Sequence, residues 1–238
     1  MKKYLAFDIE TANTDEVDSD GDLQALRPLG IACATALAQD NDKPFVWHGI
    51  TASGQPSAKM TKEEACALVK DLIELSKEHM IVTWNGVGFD FDILAEESGL
   101  YAECKQLAAG HIDMLFHALC ALGYPIGLQK AAEGMGMPGK TEGMCGSEAP
   151  KQWAAGKHQK VIDYCVQDVR VTLNLAIECS KFGMLQWITK QGVKRKLPLQ
   201  SGWLTVADAH KLPKPDTSWM TNPPNRNKIS AWMNNGTP

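Results

Sequence analysis

Four short apolar segments, with one amphipathic helix before the last, constrain the fold of this chain most. Each is rich in β-forming residues, and they lie at residues 3–9, 30–37, 45–50 and 80–84. The helix begins at a capping box, Thr61 with Glu64, and carries apolar residues at the spacing of one helix face. The order predicts an α/β fold, in which three antiparallel strands are joined by a fourth, parallel strand and helices flank the mixed sheet.

The rest of the chain is mostly helical until a hairpin near the end. Helices are predicted at residues 89–98, 112–122, 127–134 and 158–182, and the hairpin at 185–199. We therefore predict one α/β domain over residues 1–184. Residues 185–238 form a C-terminal basic hairpin and an irregular tail, which we expect to pack on that domain.

Composition places the chain among ordinary globular proteins. It has 238 residues, 44% hydrophobic and 22% charged, without a long uncharged apolar run. The start, MKKYLAFDIE, has two acids where a signal peptide would be apolar, so we expect a cytoplasmic protein without a membrane partner. Seven scattered cysteines without a C-x-x-C pair predict reduced thiols rather than a zinc site or a disulfide framework.

Charge is distributed unevenly along the chain. The net charge is −4, yet residues 190–238 hold eight Lys and Arg against two Asp. Four of these cations fall on the predicted hairpin, at Lys190, Lys194, Arg195 and Lys196. Such a hairpin could follow a phosphate backbone or could simply be a soluble sheet edge, and the sequence leaves both open.

Two acids on the first strand are the first candidates for chemistry. Asp8 and Glu10 lie two residues apart, so strand alternation sends both side chains out of the same face. Like charges held together raise each other's pKa and repel, and a divalent cation commonly offsets this repulsion. The pair therefore indicates a metal site, although two solvent-facing acids would give the same pattern.

Two later segments carry further candidates. Tyr164 and Asp168 are one turn apart on the long helix and share a face. Between them and the first strand, Asn85-Gly86-Val87-Gly88-Phe89-Asp90 follows a predicted buried strand and places an acid at the start of the next helix.

In this order, F-D-I-E-T at 7–11, N-G-x-G-F-D at 85–90 and Y-x-x-x-D at 164–168 resemble the three exonuclease motifs of the DEDD superfamily. The tyrosine subclass fits best, since Asp163 stands where the histidine subclass would have His. The step from Asn85 to Asp90 is most similar to the proofreading exonuclease domains of family B DNA polymerases. The resemblance covers about residues 3–182 and implies a ribonuclease-H-like fold.

By this resemblance, Asp8, Glu10, Asp90 and Asp168 would hold two divalent cations, Mg²⁺ or Mn²⁺. Tyr164 would orient the attacking water; a tyrosine has a reference pKa of about 10 and so acts by hydrogen bonding. Thr11, Asn85 and Phe89 would contact the terminal nucleotide. Asp92 is an alternative ligand to Asp90, and Asp113 is expected to cap or open a helix.

The expected activity is 3′–5′ exonuclease hydrolysis of single-stranded ends to nucleoside 5′-monophosphates. DNA is the preferred substrate because of the polymerase-like second motif, and RNA 3′ ends remain an alternative. A catalytically idle nucleic-acid-binding module is the rival from a different class, and replication or repair partners cannot be named.

Two other patterns point elsewhere. Residues 134–141 match the phosphate-binding pattern G-x-x-x-x-G-K-T, which works only between a strand and a helix. Here a helix is predicted before it, which disfavours nucleotide binding. The acidic run 14–22 resembles a calcium loop, but Arg27 stands at the twelfth position, where such a loop needs Glu. A solvated acidic loop is therefore the favoured interpretation.

Overall fold

The computed structural model describes residues 2–15, 23–139 and 146–234. Its main sheet has five strands, β1 (Lys3–Thr11), β2 (Ile31–Ala38), β3 (Phe45–His48), β4 (His79–Thr83) and β5 (Ile112–Asp113), in the order β3-β2-β1-β4-β5. β1 pairs antiparallel with β2 and parallel with β4, and β2 pairs antiparallel with β3. The predicted mixed sheet, with an antiparallel start and a parallel strand, is confirmed.

Helices cover both faces of this sheet. The first four are α1 (Lys62–Glu78), α2 (Asp90–Ser98), α3 (Tyr101–Gly110) and α4 (Met114–Leu122). They are followed by α5 (Leu128–Gly134), α6 (Ala149–Ala154) and the long α7 (His158–Phe182). The predicted capping box starts α1: the Thr61 hydroxyl accepts from the Glu64 amide, and the Glu64 carboxylate accepts from the Thr61 amide.

Alternation along β1 assigns these helices to two layers. Tyr4 and Ala6 belong to a buried cluster with side chains of α4, α5 and α7. Leu5, Phe7 and Ile9 belong to a second cluster with side chains of α1, α2 and α3. The even-numbered side chains of β1 therefore face α7, which places Asp8 and Glu10 on that side.

The segment after α7 begins with a hairpin of β6 (Met184–Ile188) and β7 (Lys194–Pro198). Three single-turn helices follow, α8 (Val206–Ala209), α9 (Arg226–Ile229) and α10 (Ala231–Asn234). Leu185, Trp187 and Trp203 join the α7-side cluster, and the Trp232 indole N–H donates to the Val87 carbonyl at 2.7 Å. The described tail packs on the larger predicted domain, whereas the division at residue 184 stays a prediction.

Some elements differ from the sequence-based expectation. The helices α3 and α6 and the short strand β5 were not predicted, and β5 takes the first two residues of the helix expected at 112–122. β3 ends at His48, and Ile50 forms only an isolated bridge with Pro56. β5 and α6 have two and six residues, too few for periodicity to distinguish them from loops, and α3 has ten residues but buries only Cys104, Leu107 and Ala108, so its apolar pattern is weak.

Candidate active site

Strand β1 presents Asp8 and Glu10 to helix α7. Asp8 stands opposite Thr35 and Glu10 opposite Cys33 of β2. Glu10 is buried, with 6% of its surface exposed, and Asp8 is partly exposed. Two carboxylates on one face, one of them buried, form a locally acidic surface at the carboxyl end of β1.

Helix α7 packs across this surface. Tyr164, Cys165 and Asp168 are all buried on it. The Cys165 sulfur lies 3.6 Å from an Asp8 carboxylate oxygen, and the Thr35 hydroxyl lies 3.1 Å from the same sulfur. Because Cys165 adjoins Tyr164 and precedes Asp168 by three residues, the third motif is anchored against the first.

The second motif reaches the same strand from the start of α2. Asp90 is 2% exposed, and its Oδ1 accepts the Ile9 backbone N–H at 3.0 Å. Ile9 lies between Asp8 and Glu10, so the structure brings Asp90 to the strand that carries the acidic pair. The other three acids of the set lie on the two elements that already pack together, Asp8 and Glu10 on β1 and Asp168 on α7.

Asp92, the alternative ligand, has a different neighbour. The Arg27 guanidinium forms ion pairs with Asp92 and, at 2.8 Å, with Glu96. Asp92 therefore takes part in a link between α2 and the segment before β2, whereas Asp90 contacts β1. Asp163 is exposed and accepts a hydrogen bond from Gln159, as expected of a solvent-facing neighbour of Tyr164.

Asp113 holds the turn that leads to Asp90. Its carboxylate accepts the N–H groups of Asn85 at 3.0 Å and Val87 at 2.9 Å, and it also caps α4 by accepting from Phe116. Burial raises the pKa of this carboxyl. The capping position was predicted, but the bonds to the turn were not, since nothing in the sequence connects positions 28 or 26 residues apart.

The turn itself depends on small residues. Asn85 has a positive φ of 82°, and a Cβ on Gly86 would lie 2.3 Å from the Thr83 hydroxyl oxygen. A Cβ on Gly88 would lie 2.7 Å from the Asn85 side-chain oxygen. The Asn-Gly-x-Gly sequence is therefore explained by the tight path that the backbone takes between β4 and α2.

Cys165 is the neighbour that the sequence did not indicate. Within residues 2–15, 23–139 and 146–234, the one group of three potential metal-ligating side chains whose ligand atoms all lie within 4.8 Å of one another is Asp8, Glu10 and Cys165. Burial, and then the neighbouring Cys33 and the charges of Asp8 and Glu10, raise the pKa of the Cys165 thiol well above its ordinary value. A neutral thiol is a poor metal ligand, so the carboxylate oxygens are the stronger donors here.

The oxygen donors fit a hard divalent cation. Mg²⁺ and Mn²⁺ prefer carboxylate oxygens, and Asp8 and Glu10 present them side by side on one face. The acidic cluster therefore suits a cation of this class.

A cavity of about 500 Å³ borders this region. Thr11 and Phe89, both predicted to contact the terminal nucleotide, line it together with Leu29, Pro150 and Lys151. This volume is within the usual range for small-molecule sites, which is about 300–1,000 Å³. Asn85, the third predicted contact, lies instead at the turn that Asp113 holds.

The two competing sequence patterns gain no support. Helix α5, not a strand, leads into the pattern at 134–141, and Lys140 and Thr141 lie outside the described residues. A Cβ on Gly134 would lie 2.3 Å from the Trp187 Cα, so close packing of α5 on β6 explains this glycine. Most of the acidic run, residues 16–22, also lies outside the described residues.

The cysteines and helices of the described residues can be compared with the expectations of reduced thiols and of no membrane-spanning segment. Cys33, Cys66, Cys104, Cys120, Cys165 and Cys179 are free thiols, and Cys145 lies outside the described residues. Among the helices of the described residues, none has the length and apolar character needed to cross a membrane.

The mixed sheet, its helical layers and the acidic cluster at the end of β1 together define the class of this α/β protein. Residues 35–179 match the family model RNase_H_2 of the RNase_H superfamily. This match spans more than half of the 238 residues, and the chain therefore belongs to the RNase H superfamily. The matched range contains Asp90, Tyr164 and Asp168 and begins after β1.

A solved structure gives the same picture of the fold. The family B DNA polymerase from the hyperthermophilic archaeon Pyrobaculum calidifontis is similar to 88% of this chain, with a TM-score of 0.54 and 18% identity. The chain spans 27% of that polymerase's length, and at this identity the likeness shows the fold alone. A search of curated proteins found no match.

Proposed function

We propose that this protein is a divalent-metal-dependent 3′–5′ exonuclease that removes nucleoside 5′-monophosphates from single-stranded DNA ends. The observation that carries the proposal is the convergence on β1. Asp8 and Glu10 face α7 beside Cys165, and Asp90 accepts the N–H of the residue between them. Tyr164 and Asp168 flank Cys165 on the same helix.

In this proposal the four carboxylates of Asp8, Glu10, Asp90 and Asp168 hold two divalent cations. Cations bound there would lower the pKa of a water and offset negative charge on the leaving 3′ oxygen. The water oxygen forms a bond to phosphorus while the bond from phosphorus to the 3′ oxygen breaks. The products are a nucleoside 5′-monophosphate and a strand with a new 3′ hydroxyl.

The remaining residues position the substrate. Tyr164 orients the water through its hydroxyl group. Thr11 and Phe89 line the bordering cavity, where the Phe89 ring offers an apolar surface to the terminal base. A buried carboxylate site accepts a single flexible end more readily than a paired one, which supports single-stranded DNA as the substrate.

The test is digestion of a 5′-labelled single-stranded DNA with Mg²⁺, with Mn²⁺ and with a chelator. We expect a ladder shortening from the 3′ end, release of nucleoside 5′-monophosphates, and no reaction in the chelator. A matched oligonucleotide with a blocked 3′ end is the control and should resist digestion. Cleavage of the blocked strand, or activity in chelator, would contradict the proposal, and faster digestion of a matched RNA would reassign the substrate.

A further inference from the structure

A second concave region lies outside the carboxylate site. It is a cleft of about 950 Å³ between the α4–α5 connection, the β6–β7 hairpin and Trp219. Four cations line it, Lys130, Lys190, Arg195 and Lys196, and its described lining contains no Asp or Glu. In a chain with a net charge of −4, this cleft is a local concentration of positive charge.

Three of these cations are free to meet a ligand. Lys130 forms an ion pair with Glu133 at 2.8 Å. Lys190, Arg195 and Lys196 are exposed on the hairpin, and within the described part of the chain none of them forms an ion pair. Three solvated cations on one wall suit a polyanion better than a single carboxylate.

Aromatic rings also line the cleft, and one of them, Trp187, is paired with Arg195 across the β6–β7 hairpin. The Tyr124 ring meets Trp187 edge-on at 6.3 Å and Trp219 edge-on at 6.0 Å between ring centroids. Trp187 is buried, whereas Trp219 is 67% exposed. An exposed tryptophan supported by a second ring is a surface on which a planar base can stack.

The cleft is connected to the edge of the sheet that carries the carboxylates. The Trp84 indole N–H donates to the carbonyl of Ile126, a lining residue, at 3.1 Å. Trp84 directly follows β4, which is parallel to β1, so both strands end at the same edge. Asp8, Glu10 and the turn before Asp90 lie at that edge.

We propose that this cleft is an accessory site for single-stranded DNA, in which Lys190, Arg195 and Lys196 contact phosphates and Trp219 stacks on a base. The choice of DNA rests on the proposed function, with the bound segment lying 5′ of the terminal nucleotide. A single strand is required because stacking on Trp219 needs an unpaired base.

The test measures binding of fluorescein-labelled (dT)20 by anisotropy in chelator, which prevents hydrolysis. The triple variant K190A/R195A/K196A should weaken binding at least tenfold. The slope of log Kd against the logarithm of the salt concentration should decrease by about 2 in this variant, since three phosphate contacts are lost and each contributes about 0.7 on a single strand. Trp219→Ala should weaken binding at least fivefold, and Trp219→Phe should restore most of it.

The matched control is K62A/K70A/K77A, which removes the same charge from exposed positions on α1, on the other face of the sheet. The control should bind (dT)20 as the unmodified protein does. Equal loss in both triple variants would overturn the proposal. Tighter binding of (U)20 or of a poly-glutamate peptide than of (dT)20 would overturn the choice of DNA.

Digestion of unlabelled (dT)20 with Mg²⁺ separates this proposal from the exonuclease itself. If binding depends on the cleft but no mononucleotide is released, the proposed exonuclease activity is wrong and the proposed accessory site stands. If mononucleotide is released with the same KM in K190A/R195A/K196A and in the control K62A/K70A/K77A, the proposed accessory site is wrong and the proposed exonuclease activity stands.

Discussion

The two faces of the central sheet bury ionisable side chains in different ways. On the α7 side, Glu10 of β1 and Asp168 of α7 are each less than 10% exposed, and the equally buried Asp90 at the start of α2 accepts the N–H of Ile9, which lies between Asp8 and Glu10. On the α2–α3 side, His111 is buried with both ring nitrogens bonded, to the Ala108 carbonyl at 2.7 Å and the Thr83 hydroxyl at 2.9 Å. A satisfied histidine stabilises the fold, whereas converging acids raise its electrostatic energy unless a cation joins them.

This contrast assigns different consequences to substitutions on the two faces. Changes among the acids should affect chemistry and leave stability intact. Changes around His111 should affect stability. A change at Asp113 should affect both stability and chemistry, since Asp113 caps α4 and also holds the turn before Asp90.

The largest effect is expected at the acids. Asp8→Asn and Asp168→Asn should each lower the hydrolysis rate about a thousandfold or more, because a lost metal ligand removes several kcal/mol of transition-state stabilisation. In chelator, the free energy of unfolding should be unchanged or higher, since one of several like charges is gone. Rates on 5′-labelled single-stranded DNA and urea denaturation measure the two quantities.

Asp163→Asn is the matched control for the acids, because Asp163 is exposed on the same helix beside Tyr164. It should keep the unmodified rate. Full activity in Asp8→Asn would remove the site assignment, and a large loss of stability would remove the contrast between the faces.

The next effect concerns pH and His111. Burial lowers the pKa of His111 to about 4, from the value of 6.5 expected when unfolded. The unfolded chain therefore binds a proton first as pH falls. The resulting stability is full above about pH 6.5 and is lost towards pH 4, by about 3 kcal/mol for this group. Burial lowers the pKa of His117 to about 4 as well and adds to the same trend.

His111→Gln should reduce the slope of unfolding free energy against pH between 6.5 and 4.5 by up to about 1.4 kcal/mol per pH unit, one proton's worth. Urea denaturation at a series of pH values measures this slope. A slope identical to that of the unmodified protein would show that His111 is not buried in its neutral form.

A smaller effect is expected for Asp113→Asn. The amide keeps one acceptor oxygen where the carboxylate serves three N–H groups, so buried donors lose partners. We expect about 2 kcal/mol lower unfolding free energy, together with slower hydrolysis because the turn before Asp90 loosens. Urea denaturation and the hydrolysis rate are measured on the same preparation. A change in only one of the two quantities would show that Asp113 serves either stability or the turn before Asp90, but not both.

Tyr164→Phe should have the smallest effect. Loss of one hydrogen bond to the attacking water corresponds to about a tenfold slower reaction. The Mg²⁺ concentration at half-maximal rate should stay the same, since Tyr164 is not proposed as a ligand. A shift in that concentration would instead make the tyrosine part of the metal site, and an unchanged rate would remove its proposed role.

The amino-acid sequence predicted the parts of the molecule whose signals are local or periodic. Alternation placed Asp8 and Glu10 on one face of β1, and the capping box marked the start of α1. The order of strands and helices predicted the mixed sheet. These features need only the pleat of a strand, the pitch of a helix and the hydrogen bonds of a helix end.

Other features depend on contacts between residues far apart in the chain, and only the tertiary structure decided them. Cys165 beside Asp8, Asp113 beneath the Asn85 turn and Trp219 against Tyr124 join positions that no pattern connects. Short elements such as β5 form because neighbouring strands and helices bury them, not because of their own propensity. Local sequence therefore determines which elements form and which face each acid takes, and packing determines which side chains meet.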